Sequence, residues 1–392
     1  MAGAALIAGI LWGGIETTLL PSDNPSINYN TAPVHDRAAQ LDAKLRSGEL
    51  KLSYHRDYGY LISLLKALDV PVASQVLVFS KTSFQAHRIA PRTPRALYHT
   101  PDISIGFVRG GDVLEIAATD PKQGVVFYSL DQEQTANPRL VRRDECVHCH
   151  VGASTLGVPG LVLRSVHPDH QGQALGNAKS YLTDYRSPLE QRWGGWYVTG
   201  LSGTQHHMGN QMVEDRDAPA LDQAKGSNVL ELDKFFDTPM YLAPTSDIVS
   251  LMTFEHEIRF TNLVTRLGWE GRLGRDSGET VEELAKAMVF EDEAALTDKV
   301  QGGKEFSDAF AAAALRDKAG RSLRDFDLKT RLFKYRFSYM LYGQQFETLP
   351  ATAKDLVLRR AYQKLSAMPE GERHAIVEIL QATKKDLPEY FR

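Results

Sequence analysis

Both cysteines of this chain lie in one pentapeptide, Cys146-Val147-His148-Cys149-His150. Two thiols three residues apart near the start of a helix can reach the two vinyl groups of a haem and form thioethers with them. The imidazole that directly follows the second cysteine is then in place to bind the iron. The spacing Cys-x-x-Cys-His is therefore typical of covalent haem c attachment.

In these five residues the sequence resembles the c-type cytochromes. The resemblance implies thioether bonds at Cys146 and Cys149, iron ligation by His150, and attachment of haem c outside the cytoplasm. Arg142 and Arg143 precede the motif and could pair with the haem propionates. The rest of the chain is not similar to a small, all-helical class I cytochrome c, so that family's fold is not expected here.

The second axial ligand would decide between electron transfer and catalysis, because an open sixth position lets the iron bind small molecules. Residues 205–210 contain two imidazoles and a thioether. We rank His207 first as the distal ligand, His256 second and Met208 third. His256 lies on the apolar stripe of a predicted helix, where a hydrogen-bonded core histidine is the common alternative. Four further histidines have polar neighbours and are predicted to lie on the surface: His55, His87, His99 and His374.

Other chemistries are open to the same two cysteines. Cys146 and Cys149 could join His167 and His170 in a tetrahedral zinc site, although the two histidines are closer together than in most such sites. A thioredoxin-like dithiol would need a βαβ context, which the sequence does not indicate. A plain disulfide or a pair of free thiols is the remaining alternative. Haem c is the interpretation that we favour.

The composition is that of an ordinary globular protein. The 392 residues include 45 Lys and Arg and 49 Asp and Glu, a formal net charge of -4, which argues against a general nucleic-acid binder. Two cysteines are too few for a disulfide-stapled scaffold. No apolar run is long enough for a multi-pass membrane protein.

The N-terminal segment is short and apolar. Residues Ala2 to Ile15 fit the hydrophobic part of an export signal, although no basic residue precedes them and no clear cleavage site follows. The alternative is an N-terminal arm that packs on the protein. We expect a periplasmic or otherwise extracytoplasmic protein, either free or held at a membrane by this segment.

Hydrophobic periodicity predicts an α+β architecture, with a β-rich, haem-bearing middle region and an α-helical C-terminal domain. Ile103, Ile105 and Phe107 alternate with small or polar residues, and turn residues separate successive apolar runs, which indicates an antiparallel meander. The predicted divisions are an export or anchor segment with its linker (1–33), N-terminal helices (34–70), a β-rich domain (71–240) and a helical domain (241–392).

Two predicted C-terminal helices matter below. One begins near Asp247 and ends near Gly268. Another covers Asp325 to Tyr342 and carries a basic face. That face is either a solvated surface or a docking patch for an acidic redox partner, and it consists of Lys329, Arg331, Lys334 and Arg336.

The sequence therefore predicts an exported monohaem c-type cytochrome that transfers single electrons to and from redox partner proteins. One alternative is a haem enzyme with an open distal site, similar to a peroxidase or an oxygenase. Another is a zinc-stabilised binding module. The sequence leaves the electron donor and acceptor, the reduction potential and the oligomeric state open.

Overall fold

The computed structural model describes residues 18–392, so the predicted export segment Ala2 to Ile15 lies outside the described residues. Within residues 18–392, no helix has the length and apolarity needed to cross a membrane. A mostly antiparallel sheet in the middle of the chain is followed by C-terminal helices, which confirms the predicted α+β class.

Seven strands form one antiparallel sheet in the order β6-β5-β4-β3-β2-β1-β9, and β7 and β8 form a separate ribbon. Strands β1 to β6 are neighbours in chain order, so the predicted meander is confirmed. The strands are β1 (Val76–Val78), β2 (Arg95–Thr100), β3 (Ile103–Phe107), β4 (Val113–Asp120), β5 (Gly124–Asp131), β6 (Leu140–Arg142), β7 (Leu163–Ser165), β8 (Tyr181–Thr183) and β9 (Trp196–Tyr197).

The described helices are α1 (Arg37–Ser47), α2 (Leu61–Ala67), α3 (Val147–His150), α4 (Gln223–Gly226), α5 (Ile248–Leu273), α6 (Gly278–Met288), α7 (Lys304–Ala312), α8 (Gln344–Glu347), α9 (Ala351–Leu365) and α10 (Glu370–Thr383). The two predicted N-terminal helices correspond to α1 and α2. Leu41 and Leu45 of α1 lie in the same apolar cluster as the alternating Ile103, Ile105 and Phe107 of β3. One face of the sheet is therefore covered by the N-terminal helices.

Helix α5 lies along the opposite face of the sheet. Asp247 caps its first turn by accepting hydrogen bonds from the amides of Val249 and Ser250 at 2.9 and 3.0 Å, as the sequence predicts. The helix does not stop at Gly268 but ends at Gly274, whose φ of 62° is left-handed. Tertiary packing explains the difference, because nearly every residue of α5 is buried and this burial outweighs the modest cost of an internal glycine.

The prediction of a helix over Asp325 to Tyr342 is wrong, because only a 3₁₀ turn at Tyr339–Tyr342 forms in this range. Asp327 instead closes a turn by accepting hydrogen bonds from the amides of Lys329 and Thr330 at 2.8 and 2.7 Å. The predicted basic face is therefore not a helix face. Arg336 pairs with Glu372 of α10 at 2.8 Å, so part of its charge is neutralised within the protein.

Candidate functional site

The Cys-x-x-Cys-His motif forms a short helical segment directly after β6. A 3₁₀ turn, Asp144–Cys146, leads into α3, so Cys146 and Cys149 are one helical turn apart and lie on the same side. Both are free thiols; Cys146 is half-buried and Cys149 is exposed. The carboxylate of Asp144 accepts a hydrogen bond from Nε of Arg142 at 2.9 Å instead of capping the helix.

The imidazole of His150 is oriented by a backbone carbonyl. Its Nδ1 lies 3.0 Å from the carbonyl oxygen of Gly160, and the amide of Gly160 donates to the carbonyl of His150 at 3.0 Å. A carbonyl oxygen can only accept, so Nδ1 carries the proton and the lone pair lies on Nε2. Nε2 makes no hydrogen bond with any residue in 18–392. Metal-binding histidines typically have this second bond, which fixes the tautomer and the ring plane.

Gly160 is in turn fixed by helix α5. The side chain of Asn262 donates to the carbonyl of Leu161 at 2.8 Å and accepts from its amide at 3.2 Å. A Cβ atom on Gly160 would lie 2.2 Å from Oδ1 of Asn262, so a larger residue here is incompatible with the present position of the Asn262 side chain. The orientation of the His150 ring therefore depends on the packing of the motif loop against α5.

His150 lies beside the face of the sheet that packs against α5. The Phe127 ring of β5 contacts the imidazole with a centroid distance of 4.6 Å. Arg95 of β2 and Glu115 of β4 form an ion pair at 3.1 Å with both side chains mostly buried. Burial lowers the pKa of His150 and Arg95 lowers it further, whereas the hydrogen bond to Gly160 and the charge of Glu115 oppose this shift. The neutral imidazole, the form that binds a metal, is thus favoured.

The two arginines predicted to pair with propionates differ in their contacts. The Arg142 guanidinium lies over the Tyr29 ring, 4.9 Å from its centroid, and also binds Asp144. Nε of Arg143 donates to the hydroxyl of Ser129 at 2.7 Å. Arg143 keeps 37% of its side chain exposed. Arg143 is therefore the more accessible of the two cations beside the motif.

The protonation of the thiols argues against a redox dithiol. Burial, with a further contribution from Glu145, raises the pKa of the Cys146 thiol to about 11. Redox-active dithiols have a lowered thiol pKa, which supplies the thiolate nucleophile at neutral pH. Cys146 is instead a protonated thiol at neutral pH.

Two of the three predicted distal ligands, His207 and Met208, are bonded to residues outside the motif. His207 is buried; its Nδ1 accepts from the amide of Gly209 at 3.1 Å, and its ring meets Trp193 edge-on at 5.3 Å. The sulfur of Met208 accepts from the hydroxyl of Ser165 at 3.4 Å. Neither side chain has a hydrogen bond or ring contact with the motif among the described residues.

His256, the other predicted distal ligand, is fully buried on α5. Its Nε2 is 2.7 Å from the hydroxyl of Ser338, and its ring packs on Phe290 with a centroid distance of 4.2 Å. Its Nδ1 has no partner among the described residues. Burial lowers the pKa of both His207 and His256 to about 3, so both rings are neutral. Within residues 18–392, His256 makes no hydrogen bond or ring contact with the motif, and it occupies the core position that its place on the apolar stripe gives as the alternative to iron binding.

The predicted zinc ligands are not brought together. Nδ1 of His167 donates to the carbonyl of Lys179 at 2.9 Å, and Nε2 of His170 is 3.1 Å from the carboxylate of Glu214. Within the described part of the chain, no group of three or more histidine, cysteine, aspartate and glutamate side chains is placed to hold a metal ion.

One buried network was not predicted from the sequence. His99 was expected at the surface, but it is buried, with Nδ1 2.8 Å from Glu257 and Nε2 2.9 Å from the hydroxyl of Ser250. The second carboxylate oxygen of Glu257 accepts from the hydroxyl of Tyr339 at 2.7 Å. His99 lies in β2, with its side chain on the face of the sheet that packs against α5. Recognition of residues 95–100 as a strand would have indicated that His99 is buried.

Comparison with known proteins gives no relative to which this site could be referred. No family model matches the chain, and neither a curated protein nor a solved structure matches it. An α+β class is compatible with many activities, so the function has to be argued from the side chains of the site.

The residues of the motif fit a covalently bound haem. Cys146 and Cys149 are unpaired thiols one helical turn apart, and His150 has a hydrogen-bonded Nδ1 with a free Nε2. The two sulfurs would hold the vinyl carbons, and the imidazole would be the proximal ligand of the iron.

Proposed function

We propose that this protein is an exported monohaem c-type cytochrome that transfers single electrons between partner proteins. The observation that carries the proposal is the hydrogen bond from Nδ1 of His150 to the carbonyl of Gly160, beside two free thiols with haem c spacing. When bound, haem supplies a one-electron couple between ferric and ferrous iron. Cys146, Cys149 and His150 would hold it.

The surroundings of His150 would tune this couple. The Gly160 carbonyl makes the imidazole a better donor, because a hydrogen bond from Nδ1 raises the basicity of the ligand. Phe127 shields one side of the ring from water. The Cys149 thiol is exposed, so a group attached to it would be accessible from the surface that a redox partner could approach.

Export follows from the chemistry of attachment in the c-type cytochromes, which takes place outside the cytoplasm. The apolar segment Ala2 to Ile15 supports this location as an export signal or a membrane anchor. We therefore propose a periplasmic or extracytoplasmic location, with or without attachment to the membrane.

A haem enzyme with an open distal site is the second candidate, and one observation favours it. His207, Met208 and His256 are each engaged in buried contacts away from the motif. If none of them binds the iron, the sixth position is left to water, a partner residue or a small molecule.

The proposal is tested by expression of the full-length chain with a haem c maturation system. A haemochrome spectrum in pyridine should show haem c, and the pigment should stay with the protein in acidified organic solvent. Cys146→Ala/Cys149→Ala should abolish covalent pigment. His148→Ala is the matched control, because His148 is exposed inside the same motif and should be dispensable. A colourless product, or pigment that extracts freely from the wild type, would contradict the proposal.

The two haem functions are separated by the coordination of the iron. A carrier whose iron has no position open to small molecules should be low-spin as isolated and bind carbon monoxide or cyanide slowly or not at all. Rapid binding of both ligands would favour the enzyme with an open site.

A further inference from the structure

A second site is indicated by a pocket that no residue of the Cys-x-x-Cys-His motif lines. It has a volume of about 160 Å³ and lies between the β2–β3 turn, the segment after α7 and the 3₁₀ turn at Tyr339–Tyr342. Pro101, Leu315 and Met340 give it apolar walls, and Leu315 is exposed at 49%. The polar side chains of Ser322 and Arg324 also line it.

The Arg324 side chain is held in a fixed position without a carboxylate partner. Its guanidinium carbon lies 4.6 Å from the centroids of both the Phe310 and the Tyr339 rings. Two such cation–π contacts immobilise the group but leave its charge in place. Its one side-chain hydrogen bond within residues 18–392 is long, from Nη1 to the carbonyl of Phe310 at 3.3 Å.

Two acidic side chains, the sequence neighbour Asp325 and the partner of the Tyr339 hydroxyl, Glu257, are already engaged. Asp325 pairs with Arg316 at 2.9 Å. Glu257, on the far side of Tyr339, is bonded to the Tyr339 hydroxyl and to His99. Within the described residues, Arg324 is thus a preorganised cation that faces a pocket with no anion of the protein to neutralise it.

Ser322 supplies a second donor. Ser322 is almost completely buried, with only 2% of the residue exposed. The hydroxyl oxygen accepts from the amide of Arg324 at 3.1 Å, and the hydroxyl hydrogen has no acceptor among the described residues. Both residues line the same pocket, and a guanidinium and a hydroxyl are donors that bind carboxylate oxygens.

We propose that this pocket binds a small organic carboxylate, with the carboxylate on Arg324 and Ser322 and an apolar body against Pro101, Leu315 and Met340. A cavity of about 150 Å³ holds a benzene-sized molecule, so a ligand the size of benzoate matches the volume. A single guanidinium among apolar walls suits a monoanion better than a phosphate group, which needs more donors and more positive charge. The proposal goes beyond electron transfer and is independent of the haem.

The direct test is calorimetric titration of the purified full-length protein, as isolated, with benzoate. Benzyl alcohol, which is similar in size but uncharged, and inorganic phosphate serve as comparison probes. Benzoate should bind with one-to-one stoichiometry and at least about tenfold more tightly than either probe, because only benzoate offers both the charge and the apolar body. No saturable benzoate binding at about 10 mM, or equal or tighter binding of either comparison probe, overturns the proposal.

Variants then assign the binding to this pocket. Arg324→Gln should weaken benzoate binding at least about tenfold, Arg324→Lys should weaken it less, and Ser322→Ala should weaken it a few-fold. Arg373→Gln, an exposed arginine on α10 outside the pocket, is the matched control and should bind benzoate as the wild type does. If Arg324→Gln does not fold, Arg324→Lys and Ser322→Ala carry the test. Unchanged affinity in the folded Arg324 and Ser322 variants places the binding elsewhere and refutes the site.

Discussion

His150 and Gly160 are joined by a reciprocal pair of hydrogen bonds. The imidazole Nδ1 donates to the carbonyl of Gly160, and the amide of Gly160 donates to the carbonyl of His150, each at 3.0 Å. The pair closes the loop that follows the two cysteines and fixes the ring by the backbone of that loop. Asn262 of α5 binds the next residue, Leu161, and so connects the ring orientation to the helical part of the protein.

The first prediction concerns Gly160→Ala. The new Cβ would meet Oδ1 of Asn262 at 2.2 Å, so either the loop shifts or the Asn262 side chain turns away and loses its two hydrogen bonds to Leu161. We expect a loss of about 1–3 kcal/mol in the free energy of unfolding, measured by urea denaturation. The His150 hydrogen bond should weaken with the shift, which would lower the basicity of the imidazole and raise the reduction potential of the bound haem.

Gly176→Ala is the matched control for this change. A Cβ at Gly176 meets no atom within 4 Å, and that residue lies in a loop of the same region. Its stability and reduction potential should equal those of the wild type. Equal behaviour of both variants would show that the Gly160 contact has no part in holding His150.

The second prediction concerns the three distal candidates. His207→Gln, Met208→Leu and His256→Gln should each leave the visible spectrum and spin state of the haem protein unchanged, because the side chains are bonded elsewhere. Each variant should still lose stability, since each side chain is buried. A switch to a high-spin spectrum in one variant would identify that residue as the sixth ligand and show that the haem-loaded protein rearranges.

Local sequence patterns predicted the elements but not the contacts between them. Alternation at Ile103, Ile105 and Phe107 predicted β3 because one face of that strand packs on α1 and α2. Asp247 predicted the start of α5 because its side chain bonds the first free amides. The alternating residues and the capping aspartate both act on backbone only a few residues away, so the local sequence is enough to predict the strand and the helix start.

The incorrect or missing predictions have long-range causes. His99 pairs with Glu257 across 158 residues of sequence, and no local pattern encodes that distance. Gly268 remains helical because α5 is buried on nearly all sides. Within the site, the motif alone identifies Cys146 and Cys149, whereas the carbonyl that orients His150 is brought in by loop closure, which no local sequence pattern encodes.

The third prediction concerns thiol reactivity in protein made without haem. Cys149 is exposed, whereas burial holds the pKa of Cys146 at about 11. Iodoacetamide should therefore alkylate Cys149 first and Cys146 much more slowly near neutral pH, because the thiolate is the nucleophile. Peptide mass spectrometry over time distinguishes the two sites, with Cys146→Ser and Cys149→Ser as reference proteins. Haem-loaded protein should contain no reactive thiol. Free thiols in coloured protein would contradict double thioether attachment.

The last prediction concerns the pH dependence of stability. Burial lowers the pKa of His256 to about 3 from its ordinary value of 6.5. Between pH 3 and pH 6.5, His256 is therefore protonated in the unfolded chain but neutral in the folded protein. The stability that neutral His256 contributes is fully present above pH 6.5 and falls as the pH drops toward 3, by about 1.4 kcal/mol per pH unit.

Glu255 acts in the opposite direction, so a comparison of variants is needed. Burial raises its pKa to about 7 although Arg192 opposes the shift, and its contribution to stability is present at low pH and lost as the pH rises through 7. His256→Gln removes one histidine proton from the balance while its amide can still reach Ser338. Urea denaturation from pH 7 to 4 should give a shallower loss of stability for His256→Gln than for the wild type. His374→Gln, whose side chain is 73% exposed, should keep the wild-type slope. Equal slopes in all three proteins would mean that His256 titrates normally and is not held neutral in the core.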